Sequence, residues 1–416
     1  MATEQGRRPS FYRRTALKNI VRLIPTVGIL AAMLNVLSCG SSGLLSPAGS
    51  SGSPTATPTT GTGTLAFVTN YNDGKVSSFT RNTTTGVLTR TGQVTAGAKT
   101  GPRGVVASPS GAFLYVANIN DDNIYEFSIN STNGTLTPLF PASVSNGSGT
   151  KPDELAINSG GTLLWVTGKA GTVTSYTVNT STGQINLPAT STTSGGGLKT
   201  PFGIALHPTL NVLYVSDSAT GYVYPFNYNT TTGVLSQNST PQHSLDLTAD
   251  TPFGIAIDSG GDSLFIADQG NGEVSSFTID ETGATCGKAG CLIPYSYFAN
   301  SSPTDQPVGV GIGVSDGIEY LFTANSSGDS VSSFIANLQT LTTPPALVTG
   351  YDGATGLVVD PQNLFVYTAN FGNGTVGQAI IENGTTCTIQ LCAGLVVSTE
   401  KPANPNSGPF GITLAQ

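Results

Sequence analysis

The chain has 416 residues, of which only 10% are charged and 52 are glycine, and its formal net charge is −8. Binding to nucleic acid phosphates needs clustered basic side chains, and beyond residue 38 only 10 Lys and Arg are scattered along the chain, so that class of function is excluded. Few charges and many glycines instead suit a fold of buried strands joined by tight turns.

Residues 1–38 read as a targeting segment that stays out of the fold. Arg7, Arg8, Arg13, Arg14, Lys18 and Arg22 form a basic front, and the apolar run Leu23–Leu37 that follows is interrupted by Pro25 and Asn35. That run falls short of the ~20 residues a spanning helix needs. It ends in Val36-Leu37-Ser38-Cys39-Gly40, which resembles the lipobox of bacterial lipoproteins and implies a lipidated Cys39. Ordinary cleavage, or a retained anchor with Cys39 as a spare thiol, is the alternative. Arg13-Arg14-Thr15-Ala16-Leu17-Lys18 also resembles a twin-arginine export motif, with Ala16 where a large apolar residue is usual. The expectation is an exported protein of the cell envelope, lipid-anchored at a periplasmic or extracellular membrane surface.

Residues 39–63 are mostly Gly, Ser, Thr, Pro and Ala without one charge, the composition of a flexible tether. Beyond residue 38 the chain holds 10 Lys and Arg against 23 Asp and Glu, a net charge of −13.

From residue 64 to 416 one phrase recurs. Its clearest copy is Thr-Pro-Phe-Gly-Ile-Ala, Val-Leu-Tyr-Val-Ser-Asp, Tyr-Val-Tyr-Pro-Phe-Asn, Thr-Thr-Thr-Gly-Val-Leu, within residues 200–235. The end of the second part falls at Asn70, Asn118, Gly168, Asp217, Asp268, Asn325 and Asn370, a period near 50 residues. Four short strands per copy at that period mark a β-propeller blade. An aromatic follows each of these anchors by eight or nine residues, from Phe79 to Phe334, until the seventh copy substitutes Ala379. A Pro opens the copies at 102, 152, 201, 252 and 307, and Ala354 replaces it in the seventh. The first copy starts at its second strand, while the chain finishes on Gly-Pro-Phe-Gly-Ile-Thr-Leu. The orphan strand should complete the first blade and leave no open edge. The predicted fold is an all-β, seven-bladed propeller with four antiparallel strands per blade, expected to be a monomer.

Two cysteine pairs share one spacing, Cys286 with Cys291 and Cys387 with Cys392, each where the third and fourth strands meet. Four intervening residues suit a disulfide across a hairpin in an oxidising compartment. A metal site is the rival, short of ligands with two histidines in the chain and neither near a pair.

Ligands of propellers bind where the inner strands begin. The residue after the opening Pro (Ala354 in the seventh copy) is Arg103, Asp153, Phe202, Phe253, Val308, Thr355 or Phe410, and the next is Gly in six copies and Glu154 in one. Glycine there implies close backbone approach or positive φ, so Glu154 is a local cost that asks for a reason. Arg103 and Asp153–Glu154 fall at equivalent depth on adjacent blades. A carboxylate activating water and a guanidinium meeting developing negative charge would suit ester or lactone hydrolysis. A structural ion pair is the alternative. Phe202, Phe253 and Phe410 would line the mouth, stacking on a sugar ring or simply packing. Lys151 and Lys199 read as loop lysines. His207 reads as a turn residue on the opposite face, and His243, in the loop 238–251, as a ligand contact on the mouth side. Asp73, Asp121, Asp122, Asp268, Glu273 and Asp329 could ring a Ca²⁺, though Asp and Asn are also what the turns require. No cofactor is otherwise implied, and no metal ligand set is assigned.

The phrases Leu-Tyr-Val-Ala-Asn (114–118), Ile-Tyr-Glu-Phe-Ser-Ile (124–129), Asn-Gly-Thr-Leu-Thr-Pro (133–138) and Gly-Pro-Arg-Gly-Val-Val-Ala-Ser-Pro-Ser-Gly (101–111) resemble the lactonase family of seven-bladed propellers, which includes 6-phosphogluconolactonases and carboxymuconate-lactonising enzymes. The resemblance covers all seven blades and implies opening of a sugar lactone or related cyclic ester. Family members typically place a His after the Pro-Arg and a Glu after the Tyr-Val-x-Asn strand. Gly104 and Ile119 stand there instead, so only Arg103 carries over. Two readings stay open, a membrane-tethered lactone hydrolase and a non-enzymatic envelope propeller that binds a glycan or protein partner.

Overall fold

A computed structural model describes residues 65–415, apart from 99, 188, 190, 194–196, 244–249, 301–303, 316, 338–339, 342–345, 382–390 and 393–406. Seven antiparallel sheets are arranged as the seven blades of a propeller. In blade 4, for example, the strands Pro201–Leu206, Val212–Asp217, Tyr222–Tyr228 and Leu235–Gln237 run from the axis outward. Second strands such as Leu65–Asn70, Leu163–Gly168 and Val212–Asp217 are buried at every residue. They lie between two neighbouring blades and show both faces to protein, which is why they read as unbroken apolar runs.

The core is divided among the gaps between blades. Tyr115 and Ala117 of blade 2 pack against Leu164, Val166 and Tyr176 of blade 3, and the pattern repeats around the ring. A polar latch accompanies it. The Tyr115 hydroxyl donates to the Gly183 carbonyl at 2.8 Å, Trp165 Nε1 to Gly233 at 2.8 Å, Tyr214 to Gly290 at 2.8 Å and Tyr367 to Gly86 at 2.7 Å. Each latch ties a second strand to the outer hairpin of the next blade.

Ring closure follows the expectation. Pro409–Ala415 pairs antiparallel with Leu65–Asn70, Leu65 opposite Ala415 and Val68 opposite Ile412, and becomes the inner strand of blade 1. The substituted positions of blade 7 are filled from outside the repeat. Tyr351, fully buried, packs with Ala354 and Ala379, lies over Gly377 and donates its hydroxyl to the Gln378 carbonyl at 3.0 Å.

Cys286 and Cys291 form a disulfide across the outer hairpin of blade 5. Cys39 and Cys387 lie outside the described residues, and with Cys387 the expected pairing to Cys392. Among the described residues no helix is long and apolar enough to cross a membrane.

Candidate active site at the channel mouth

Each inner strand slips register just after its first residue, between Pro102 and Val105, Pro152 and Leu155, Pro201 and Ile204, Pro252 and Ile255. The glycine at this bulge is required for proximity. A Cβ on Gly203, Gly254, Gly309 or Gly411 would fall within 3.0 Å of the carbonyl oxygen of Phe253, Val308, Thr355 or Arg103 on the next inner strand. None of the six inner-strand glycines has positive φ, so that alternative falls away. Hydroxyls bridge the same gap in three blades. Thr69 Oγ1 accepts from Gly411 N at 2.8 Å and donates to Arg103 O at 2.6 Å, and Ser216 joins Gly203 N to Phe253 O in the same way. Glu154, the one non-glycine, keeps the bridge: its amide donates to Thr167 Oγ1 at 3.0 Å, which donates to Phe202 O at 2.9 Å.

The Glu154 side chain turns back over blade 2. A Cβ on Gly104 would stand 3.0 Å from Glu154 Oε2 and closer still to the Asp153 carbonyl. A side chain at 104 would meet the Asp153 carbonyl first, as at the other inner-strand glycines, and the carboxyl of Glu154 lies beside the space it would take.

Below the mouth lies a cavity of about 150 Å³, lined by Glu154, Phe202, Phe410, Thr355, inner-strand glycines and aliphatic side chains such as Val105 and Ile255. Among the described residues, Glu154 is the only titratable one in its lining. Beside it, Asp153 is fully buried and binds two cations, Arg103 Nε at 2.9 Å from Oδ1 and Lys169 Nζ at 3.3 Å from Oδ2. The Arg103 guanidinium lies 3.9 Å over the Phe410 ring and 5.3 Å from that of Phe202, and Lys169 Nζ is 5.4 Å from the Phe202 ring. Phe253 packs on Phe202 with ring centroids 4.5 Å apart. Such cation–aromatic contacts hold a guanidinium in place without neutralising it.

Glu154 is half-buried and lines the cavity. Burial pushes its carboxyl up to about 8, helped by the charge of Asp153, while Arg103 and Lys169 pull in the opposite direction. Burial also draws the Lys169 ammonium below the usual lysine range, against the pull of Asp153. A carboxyl poised near neutral pH beside two cations can exchange a proton with a substrate and offset negative charge that develops next to it.

The structure thus brings together Arg103, Asp153, Glu154, Phe202, Phe253 and Phe410. Lys169 was missed from the sequence. Its signal was there: the residue after the strand-two anchor is Tyr71, Ile119, Lys169, Ser218, Gln269, Ser326 or Phe371, and only one of these is charged.

His243 does not join them. It sits on a short outer strand, Gln242–His243, that pairs with the third strand of blade 4, where it packs edge-on against Tyr222 and places Nδ1 2.8 Å from Asp250. His207 is a turn residue: its Nδ1 accepts from the Leu210 amide at 2.9 Å and Nε2 faces the Gly261 carbonyl at 3.0 Å. Three of the carboxylates considered for Ca²⁺ bind backbone amides of the segments that lead into or toward inner strands: Asp122 accepts from the Gly149 and Lys151 amides, Asp268 from Thr251 and Asp329 from Gly353. Among the described residues, the one grouping of three potential ligands is Asp280 with Cys286 and Cys291, whose sulfurs are joined to each other.

A family model described as lactonase, 7-bladed beta-propeller, matches residues 62–197 and 166–289. The chain belongs to the seven-bladed propeller lactonase family. No curated protein sequence matches the chain. Among solved structures, it is similar to a putative 6-phosphogluconolactonase from Bacteroides fragilis, at TM-score 0.70 and 18% identity over 86% of this chain and 100% of that one. A second, from Bacteroides uniformis, gives TM-score 0.65 and 16% identity over 85% and 100%. The periplasmic gluconolactonase of Pseudomonas aeruginosa gives 0.63 and 12% over 85% and 99%. At these identities the likeness to the solved lactonases is one of fold.

Proposed function

We propose that the protein hydrolyses a small lactone at the mouth of its axial channel. The observation that carries this reading is Glu154, a carboxyl held near neutrality where its relatives by repeat carry glycine, facing the cavity beside Arg103. Membership in a lactonase family and likeness to gluconolactonase folds support it.

In the ionised form, Glu154 takes a proton from water as the water oxygen bonds to the lactone carbonyl carbon. Negative charge develops on the carbonyl oxygen and is offset by the Arg103 guanidinium, which Asp153 and Phe410 hold in position. The ring C–O bond then breaks, and the proton on Glu154 passes to the departing alkoxide. One water is consumed and a hydroxy acid is released. Export to the cell envelope with a lipid on Cys39 belongs to the same proposal, resting on the basic front, the apolar run and Cys39 itself.

Proton release by the purified protein against a panel of γ- and δ-lactones tests the activity. Turnover that falls by ~10²–10⁴-fold in Glu154→Gln supports a carboxylate base. Absence of turnover over the panel returns the chain to the binding-propeller reading. Partition of the full chain into a detergent phase, lost in Cys39→Ala, tests the anchor.

A further inference from the structure

The charges around the mouth speak to the substrate, on the reading that the site opens lactones. The register that sets Pro102 opposite Asn118 and Pro152 opposite Gly168 places the loops between second and third strands at the same end of the ring as Arg103 and Asp153. These loops are acidic. Counting the strand residues that flank them, Asp121 and Asp122 belong to blade 2, Asp268 and Glu273 to blade 5, and Asp73, Asp217 and Asp329 to blades 1, 4 and 6. Only Lys75 and Lys169 oppose them within the seven loops. An anion approaching the channel crosses a field of its own sign, and such fields change association rates by roughly 10–10³-fold.

The interior does not reverse this. Arg103 and Lys169 both bind the buried carboxylate of Asp153, so one negative charge already stands against the two positive ones. The cavity lining adds no cation. A phosphate or carboxylate on the substrate would have to share Arg103 and Lys169 with the buried carboxylate of Asp153, and among the described residues the lining offers no further cation. An uncharged ring asks for no such sharing, and the half-negative carbonyl oxygen of its transition state is a smaller demand on Arg103 than a resident anion.

We infer that the lactone accepted by this cavity is uncharged, a sugar lactone or similar ring with no phosphate or carboxylate substituent. The test compares kcat/KM for glucono-δ-lactone and its 6-phosphate at about 20 mM and about 300 mM salt, across which surface fields are progressively screened. The neutral lactone is expected to lead by ~10-fold or more at low salt, with a gap that narrows as salt rises through gains on the phosphate alone. Asp73→Asn with Glu273→Gln should raise the rate on the phosphate at low salt and leave the neutral lactone unchanged. Equal rates, or preference for the phosphate, overturn the inference. Binding of glucono-δ-lactam and of 6-phosphogluconate, measured by calorimetry, separates the two failures. Lactam binding without turnover removes the hydrolase reading and keeps the selectivity, whereas tighter binding of the phosphate, or no binding of either, removes the selectivity.

Discussion

Arg81 of blade 1 and Asp360 of blade 7 form an ion pair at 3.1 Å with both side chains fully buried. Asp360 also caps its own turn, accepting from the amides of Leu364 and Phe365 at 2.6 Å. The turn needs the carboxylate, and the guanidinium from across the ring seam makes that buried charge tolerable. Arg81→Met should destabilise the fold by about 3–5 kcal/mol, because one partner of a buried pair is left alone. Chemical denaturation should show part of that loss recovered in Arg81→Met with Asp360→Asn.

On the proposed hydrolase reading, Glu154 gives the activity its pH dependence. Its carboxyl is held up to about 8, so at pH 6 it carries a proton and cannot accept one from water. Lactone turnover should climb with pH and level off above about 8, after subtraction of the alkaline background reaction. Glu154→Gln should lose this rise. A profile from pH 6 to 9 that is flat for the unmodified protein would remove Glu154 as the base.

Glu126 should leave its mark on stability instead. It is buried between blades 2 and 3, accepts from the Ile185 amide at 2.5 Å, and burial pushes its carboxyl up to about 7. An unfolded glutamate releases its proton near 4.5, so between these values the native state holds more protons than the unfolded one. The contribution is fully present below about 4.5 and is lost as pH rises through about 7. Denaturation midpoints at pH 5 and pH 7.5 should therefore differ less in Glu126→Gln than in the unmodified protein. Glu154 acts in the same direction, so Glu126→Gln with Glu154→Gln should flatten the dependence further.

The inner-strand glycines predict a steric contrast. A methyl at Gly254 would stand 2.6 Å from the Val308 carbonyl oxygen, with the Val310 amide and side chain close behind, whereas at Gly92 nothing lies within 4 Å. Gly254→Ala should cost ~1–3 kcal/mol as the neighbouring strand is forced outward. Gly92→Ala should fall within ~0.5 kcal/mol of the unmodified protein, the usual range for a surface change. Thermal or denaturant melts of the two variants decide it.

The blade register and the seam were legible in the sequence because both are written in one repeating phrase, and a second strand buried on both faces can only read as apolar. Glu154 stood out for the same reason, as a departure at an aligned position. Contacts that cross between blades leave no such trace. The latch from Tyr214 to Gly290 joins residues 76 apart, and Tyr351 fills the space of a missing aromatic from outside the repeat. Lys169 is a different case: its contact with Asp153 lies within blade 3, and its trace is the one charge at an aligned position. His243 misled because a turn-rich stretch hides the two-residue strand that draws it toward Tyr222. Gly104 looked like the loss of a family side chain and is held to glycine by the Asp153 carbonyl, as the other inner-strand glycines are by carbonyls of their neighbours.

The strand Pro409–Ala415 has a second office besides closing the circle. It brings Phe410, the face on which the Arg103 guanidinium rests, and Gly411, whose amide meets Thr69 from 342 positions away. Until that strand docks, blade 1 presents Leu65–Asn70 as a bare hydrogen-bonding edge of the kind that recruits other chains, and Arg103 has no aromatic floor. Completion of the ring and completion of the pocket are therefore a single event, and a chain unfolded at its C-terminal end carries no finished site.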